Sequence, residues 1–219
     1  MFKQEQNNIK LMIFDNDMTL VDSSRAILAG FNQVADKVGR PKTNLKRVME
    51  CIAMPLPDFC RGLLGDYKPE WVDMYLANSS QHEDKYLKAF KDSKQALKAL
   101  RGKGVKLAMA SNRERVEPVL KRTGLIEYFD DYIAAQAPHG SFKYKPEPDM
   151  LLKLLELFNI KANQAVYVGD SDVDAETAHN ADMRFIGVPR GYFNAESLLK
   201  LGAWRVINNS LIELADFIN

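Results

Sequence analysis

Two aspartates one residue apart, Asp15 and Asp17, close the apolar run Leu11-Met12-Ile13-Phe14. Two more acids, Asp170 and Asp174, follow a second apolar run that ends at Val168-Gly169, and Ser111-Asn112 ends a third. Lys145 stands directly before Pro146-Glu147-Pro148 and reads as opening the helix that begins there. Side chains alternate along a strand, so Asp15 and Asp17 point the same way beyond its carboxyl end. Taken singly, each group has an ordinary structural reading: an Asp/Asn turn, a helix N-cap, a solvated lysine. Brought together they can do chemistry. Three or four converging carboxylates repel one another and raise their own pKa values unless a cation sits among them. Hard oxygen ligands in a site shared with phosphate suit Mg²⁺.

The pattern of elements explains how groups so far apart in sequence can meet. Strands are predicted at about Ile9 to Phe14, Val105 to Ala110, Tyr132 to Ala135, Ala165 to Val168, Arg184 to Val188 and Arg205 to Ile207. The continuous apolar runs among them suit strands buried on both faces. Between them, helical spacing marks segments around Leu97, Val119, Met150 to Phe158, Asp172 to Ala181, Glu196 to Leu201 and from Ser210 onward. Alternating strand and helix imply an α/β fold, a Rossmann-like parallel sheet wrapped by right-handed crossovers, whose ligands bind at the carboxyl edge.

Residues 22–88 break that alternation. They read as four helices with no strand, interrupted by Gly39, Pro41, Pro55, Pro57 and Gly65. The expected organisation is therefore a core domain built from residues 1–21 and 89–219, with an inserted four-helix cap domain over 22–88 that leaves and re-enters beside Asp15 and Asp17. Residues 1 to 8 read as a loosely attached tail.

Composition narrows the function classes. The chain of 219 residues carries 30 basic and 29 acidic residues, a net charge of +1, so nothing favours nucleic acid or an anionic membrane as partner. No apolar run reaches membrane-span length and the polar start lacks a signal-peptide core, which points to the cytoplasm. Cys51 and Cys60 are too few for a disulfide scaffold or a cysteine zinc site and read as buried thiols. Nothing in the pattern fixes an oligomeric state.

The set Asp15-x-Asp17-x-Thr19, Ser111, Lys145 before Pro146-Glu147-Pro148, and Gly169-Asp170-Ser171-x-x-Asp174 resembles the four ordered motifs of the haloacid dehalogenase superfamily of phosphohydrolases. The similarity includes Leu20-x-Asp22-Ser23, Ile186-Gly187-Val188 and Gly191, and the subgroup it most resembles is the phosphoglycolate phosphatase-like and β-phosphoglucomutase-like proteins with a small helical cap.

The resemblance implies a Mg²⁺-dependent phosphatase acting on a small phosphorylated metabolite such as phosphoglycolate or a sugar phosphate. Asp15 would attack phosphorus and form an aspartyl-phosphate. Asp17 would protonate the leaving oxygen and then activate water, with Thr19 holding it in place. Ser111, Asn112, Thr19 and Lys145 would face the phosphoryl group, with Arg113 a further candidate. Mg²⁺ would be held by Asp15, the backbone carbonyl of Asp17, Asp170 and Asp174, the last through water or by orienting its neighbours. Because Asp17 is retained, phosphate ester chemistry is favoured over dehalogenase chemistry. The alternatives are a phosphomutase, in which a substrate hydroxyl accepts the phosphoryl group, and a catalytically silent binding protein on the same fold.

Three stretches depart from the family pattern. Met18 and Ala53 stand at usual glycine positions, Met18 with the expectation of a narrower entrance, and Phe90-Lys91-Asp92-Ser93 replaces a usual proline and glycine. In the cap, Arg47, Arg61 and Lys68 are the charged residues expected to bear on specificity if any do.

Overall fold

The computed structural model describes residues 8–136 and 139–218, so the expected tail lies, but for Asn8, outside the described residues. In chain order the elements are β1 (Leu11–Phe14), β2 (Val21–Asp22), α1 (Ser24–Val38), α2 (Leu45–Cys51), α3 (Leu56–Leu64), α4 (Pro69–Tyr86) and β3 (Lys88–Ala89). There follow α5 (Ser93–Gly102), β4 (Lys106–Ser111), α6 (Glu117–Thr123), β5 (Asp131–Ala134), α7 (Asp149–Phe158) and β6 (Ala165–Gly169). The chain closes with α8 (Asp172–Asn180), β7 (Arg184–Gly187), α9 (Ala195–Lys200), β8 (Arg205–Val206) and a 3₁₀ helix over Leu211–Phe217.

Six strands form one parallel sheet in the order β5-β4-β1-β6-β7-β8. β1 lies inside it, pairing Leu11 with Lys106 and Ala165, and Phe14 with Met109 and Val168. All four of its residues are buried because alternate side chains enter different cores. Met12 and Phe14 join Leu97, Leu100, Val119 and Leu120 from α5 and α6 on one face. Leu11 and Ile13 meet Met150, Leu154 and Ala178 from α7 and α8 on the other. The apolar runs are thus explained by a sheet sandwiched between two helical layers.

The four helices α1 to α4 enclose a third core of Phe31, Val48, Phe59, Cys60, Trp71 and Tyr75. Tyr75 of α4 stacks on Phe31 of α1, ring centroids 4.4 Å apart. Gly30 makes that approach possible, since a Cβ there would lie 2.8 Å from the Tyr75 ring. Cys51 and Cys60 are both buried and free, as read from composition.

Three expectations need correction. The insert is not free of strand at its ends: β2 and β3 pair antiparallel, Asp22 opposite Lys88, and tie its entry and exit together. Two residues per strand are too few to show as a pattern in sequence. The last helix is 3₁₀ rather than α, capped by Ser210 with Glu213. Lys145 does not open α7, which begins at Asp149 and follows Pro148. Among the described residues no helix is long and apolar enough to cross a membrane.

Candidate active site

β1, β4, β5 and β6 stop at the same edge of the sheet; Ser111 at the end of β4, Asp15, Asp17, Lys145 and Asp170 from the segments beyond β1, β5 and β6, and Asp174 from the first turn of α8 meet around one cavity of about 470 Å³. The helical insert supplies its other wall, from Ile27 through Glu83. At the floor Lys145, 3% exposed, places its Nζ 2.7 Å from Asp15 Oδ1 and 2.7 Å from Asp174 Oδ1. The Tyr167 hydroxyl completes the cluster, 3.0 Å from both Lys145 Nζ and Asp174 Oδ1. Burial discourages the Lys145 charge, but the two carboxylates outweigh it and keep the ammonium protonated.

The carboxylates divide into different tasks. Asp174 is already occupied: Oδ1 takes Lys145 and Tyr167, while Oδ2 accepts from the Ser171 hydroxyl at 2.6 Å and lies 3.2 Å from the backbone N–H groups of Asp170 and Ser171. A Cβ on Gly169 would lie 2.5 Å from the Asp174 carboxyl carbon, so the strand's end must be glycine for the acid to fold back over it. Asp15 and Asp170 are less satisfied. Burial and the neighbouring acids push Asp15 up to about 7 despite Lys145. Burial, Asp174 and Asp15 likewise raise Asp170 well above the carboxylate range.

These shifts describe carboxylates short of positive charge. Asp15, Asp170 and Asp174 each offer an oxygen within 4.8 Å of the others, all buried. An all-oxygen set that one lysine does not neutralise fits a hard divalent cation. Asp15 and Asp170 are suited to direct contact, whereas Asp174 serves mainly to orient Lys145 and the loop after β6. Gly191 guards the arrangement from below, because a Cβ there would fall 1.7 Å from Asp170 Oδ2.

Several sequence-picked residues sit elsewhere than expected. Thr19 does not hold Asp17: fully buried, it donates to Asp170 Oδ1 at 3.2 Å and is absent from the cavity lining, so it is not a phosphate contact. The Asp17 carboxylate is turned from the acidic cluster toward Arg113, so only its backbone is left as a metal-side candidate. Asn112 lines the cavity but its amide is spent on scaffolding, accepting from Lys145 N at 2.6 Å and donating to the carbonyls of Lys145 and Ala53 at 3.3 Å. Ser111 remains free toward the cavity except for the Arg113 N–H, 3.3 Å from its oxygen. Met18 does not narrow the entrance: it is buried at φ 59°, a left-handed backbone that favours glycine, and lies outside the cavity.

Arg113 has a different partner from the phosphate side expected of it. Its Nε and Nη2 engage both oxygens of Asp17, and its Nη1 reaches Glu83 of α4 at 2.6 Å. Arg122 extends the chain to Glu83, Asp84 and Ser80. Burial alone would raise Asp17, but the Arg113 fork prevails and holds the carboxyl below its usual range. Glu83, Arg122 and Tyr167 were not foreseen. Glu83 carried a faint signal, an acid on the same helix face as the aromatics Tyr75 and Trp71, about two and three turns earlier in α4.

The sequence profile of the haloacid dehalogenase-like hydrolases matches residues 12–188. The chain belongs to that family. Among relatives of this haloacid dehalogenase-like hydrolase, a protein named pyrophosphatase PpaX from Halalkalibacterium halodurans is 29% identical over 80% of this chain and 81% of its own. A phosphoglycolate phosphatase from Aquifex aeolicus is 27% identical over 86% and 89%. A haloacid dehalogenase-like family hydrolase from Streptococcus pneumoniae superposes with a TM-score of 0.84 at 19% identity, covering 97% of this chain and 99% of that one, a likeness of fold.

Proposed function

We propose that this hydrolase is a Mg²⁺-dependent phosphatase that passes the phosphoryl group of a small phosphorylated substrate first to Asp15 and then to water. The observation that carries the reading is the Asp15–Lys145–Asp174 cluster at the floor of the cavity, with Asp170 alongside. Asp15 presents a carboxylate oxygen to the cavity while Lys145 steadies its partner oxygen, so the nucleophile is oriented before substrate arrives. The Lys145 charge and the Ser111 hydroxyl offset negative charge on the transferring phosphoryl oxygens. Asp17, facing the same cavity, is the acid–base group; ionised while Arg113 grips it, it has to leave that fork before it can hand a proton to the leaving oxygen and take one from the water that resolves the aspartyl-phosphate. Asp15, Asp170 and the Asp17 carbonyl, with Asp174 behind them, would hold a divalent cation, which would add neutralisation of phosphoryl charge when bound. In this reading residues 22–88 act as the cap that keeps bulk water from the intermediate.

A mutase using the same two steps passes through a doubly phosphorylated species, whose second phosphate needs a cationic seat. Among the described residues the cap contributes no lysine, arginine or histidine to the cavity wall, which favours water as acceptor. The test is phosphate release from an aryl phosphate and a panel of metabolite phosphates, with Mg²⁺ and with chelator, for wild type beside Asp15→Asn. Activity lost under both conditions is expected. Release unchanged in Asp15→Asn would exclude transfer through that residue.

A further inference from the structure

The relatives' names refer to pyrophosphate and phosphoglycolate, molecules that leave a second anion behind once a phosphoryl group departs. The wall facing the catalytic floor is poorly built for such an anion. The cap lines it with Ile27, Ile52, Met54, Leu56, Phe59 and Leu76. The cap cations that the sequence offered are engaged elsewhere. Arg47 donates to the Gly62 carbonyl at 2.9 Å and pairs with Glu50 at 3.0 Å. Arg61 pairs with Asp58 at 2.6 Å, and Lys68 sits over the Trp71 ring, 5.6 Å from its centroid.

The core's arginines do not make good the deficit. Arg113 is shared between Asp17 and Glu83, and Arg122 between Glu83 and Asp84. Arg115, the other arginine of the lining, makes no hydrogen bond or ion pair among the described residues but belongs to the core and is exposed, so solvent screens its charge. A carboxylate or phosphate set against these six apolar side chains would lose its hydration there with no cap cation in return, at a cost of several kcal/mol in general terms. The polar cap groups are also largely committed: Ser79 donates to the Leu76 carbonyl at 2.9 Å and Ser80 accepts from Arg122. Of the polar cap residues in the lining, Tyr75 alone makes no side-chain hydrogen bond among the described residues. The cavity of about 470 Å³ is also far roomier than a glycolate-sized group would fill.

Resting on the phosphatase reading above, we propose that the site takes phosphate monoesters of an uncharged, ring-bearing alcohol, whose apolar body packs against the cap wall and whose single polar group faces Tyr75. In the reaction the bond from phosphorus to the alcohol oxygen breaks, that oxygen takes a proton, and water oxygen replaces it on phosphorus, giving the neutral alcohol and inorganic phosphate. The neutral product asks nothing of the wall that the wall lacks.

The test compares benzyl phosphate with phosphoglycolate and pyrophosphate. Benzyl phosphate and phosphoglycolate are both alkyl esters, so intrinsic leaving-group reactivity weighs little. The full chain with Mg²⁺ should show kcat/KM at least about tenfold higher for benzyl phosphate, the scale of burying a few methylenes. Benzylphosphonate, which cannot be hydrolysed, should raise Tm more than phosphonoacetate at equal concentration. Leu76→Arg, at a position 41% exposed and therefore tolerant of the change, should narrow or invert the preference. A wild-type preference for phosphoglycolate or pyrophosphate, or a larger Tm shift with phosphonoacetate, overturns this proposal and leaves the phosphatase reading standing. No phosphate released from any of the three, nor from an aryl phosphate, overturns the phosphatase reading itself.

Discussion

Arg113 grips both carboxylate oxygens of Asp17, Nε to Oδ2 at 2.8 Å and Nη2 to Oδ1 at 2.7 Å. Its remaining nitrogen holds Glu83 of the cap at 2.6 Å. A planar guanidinium can do this because its donors leave in fixed directions that match a carboxylate on one side and spare a donor for another. The candidate acid is thereby fastened to the cap. Any movement of α4 away from the core must break the Arg113–Glu83 contact or pull Arg113 from Asp17.

Removing Arg113 should therefore be costly. Arg113→Ala strands the Asp17 carboxylate, 15% exposed, and leaves Glu83, 10% exposed, with Arg122 alone. Breaking a buried pair from one side costs about 3 kcal/mol, or roughly 6–12 °C in Tm for a chain of this size. Arg113→Lys keeps the charge without the fork and should lose about half as much. Arg122→Ala leaves Glu83 held by Arg113 and otherwise loses Asp84, which is 64% exposed, so it should cost under about 1 kcal/mol. Thermal melts of the three variants check the order. Equal losses for Arg113→Ala and Arg122→Ala would show that Asp17 and Glu83 do not depend on the fork.

Lys145→Met separates charge from shape, the two side chains being alike in length. Without the ammonium, Asp15, Asp170 and Asp174 have no positive neighbour on the floor of the cavity. Phosphate release should fall by about 10²–10³-fold, the scale of losing one preorganised charge-stabilising group. The same substitution should enlarge the Tm increase produced by Mg²⁺, because the cation then answers a larger unmet charge. Differential scanning fluorimetry with and without Mg²⁺ measures this directly. A smaller Mg²⁺ response than wild type would mean that Lys145 helps to form the cation site.

Much of this was legible in the sequence for a physical reason. Strands buried on both faces must be continuously apolar, so β1, β4 and β6 announced themselves, and the polar residues at their ends had to share an edge. Glycine and proline marked the helix ends: Gly39, Gly65 and Gly124 all adopt the left-handed conformation at a C-cap. What stayed hidden were pairings set by side-chain reach rather than by periodicity. Nothing local says that Thr19 will serve Asp170, 151 positions away, in place of Asp17 next door. Arg113 and Glu83 lie on separate elements, and their meeting follows from how the cap seats on the core. Met18 is a subtler case: its backbone takes the left-handed conformation that favours glycine, but its side chain is buried instead of narrowing the entrance.

Gly191→Ala tests whether a backbone position outside the acidic cluster controls the cation. The added methyl would fall 1.7 Å from Asp170 Oδ2 and 2.9 Å from its carboxyl carbon, so Asp170 must swing away and give up Thr19. The Mg²⁺ concentration for half-maximal phosphate release should rise by about 10–100-fold, the usual effect of disturbing the support of a metal ligand. Gly102→Ala is the matched control, since a Cβ there meets nothing within 4 Å. An unchanged Mg²⁺ requirement in Gly191→Ala, with normal circular dichroism, would remove Asp170 from the proposed ligands.

Asp92 lends itself to a pH experiment away from the acidic cluster. It accepts from Leu211 N at 2.8 Å and the Ser210 hydroxyl at 3.2 Å, and it pairs with Arg190, which in turn donates to the Thr19 carbonyl at 3.1 Å. The residue that departs from the family's usual proline-and-glycine return thus fastens that return to the loop after β7 and to the terminal 3₁₀ helix. Burial raises the Asp92 carboxyl, but the Leu211 N–H and Arg190 overcome it and hold the group below its ordinary 3.8. A depressed pKa stabilises the fold only while the unfolded chain would also be ionised, so the contribution is complete above about 3.8 and is lost as pH falls through the lower folded value. Asp92→Asn removes the charge at every pH. The urea midpoint of wild type should exceed that of Asp92→Asn by an amount equivalent to about 1–2 kcal/mol at neutral pH. That gap should stay flat down to about pH 5 and shrink below about pH 4. A gap that widened on acidification would mean that the Asp92 carboxyl is held up rather than down, and that burial outweighs Arg190.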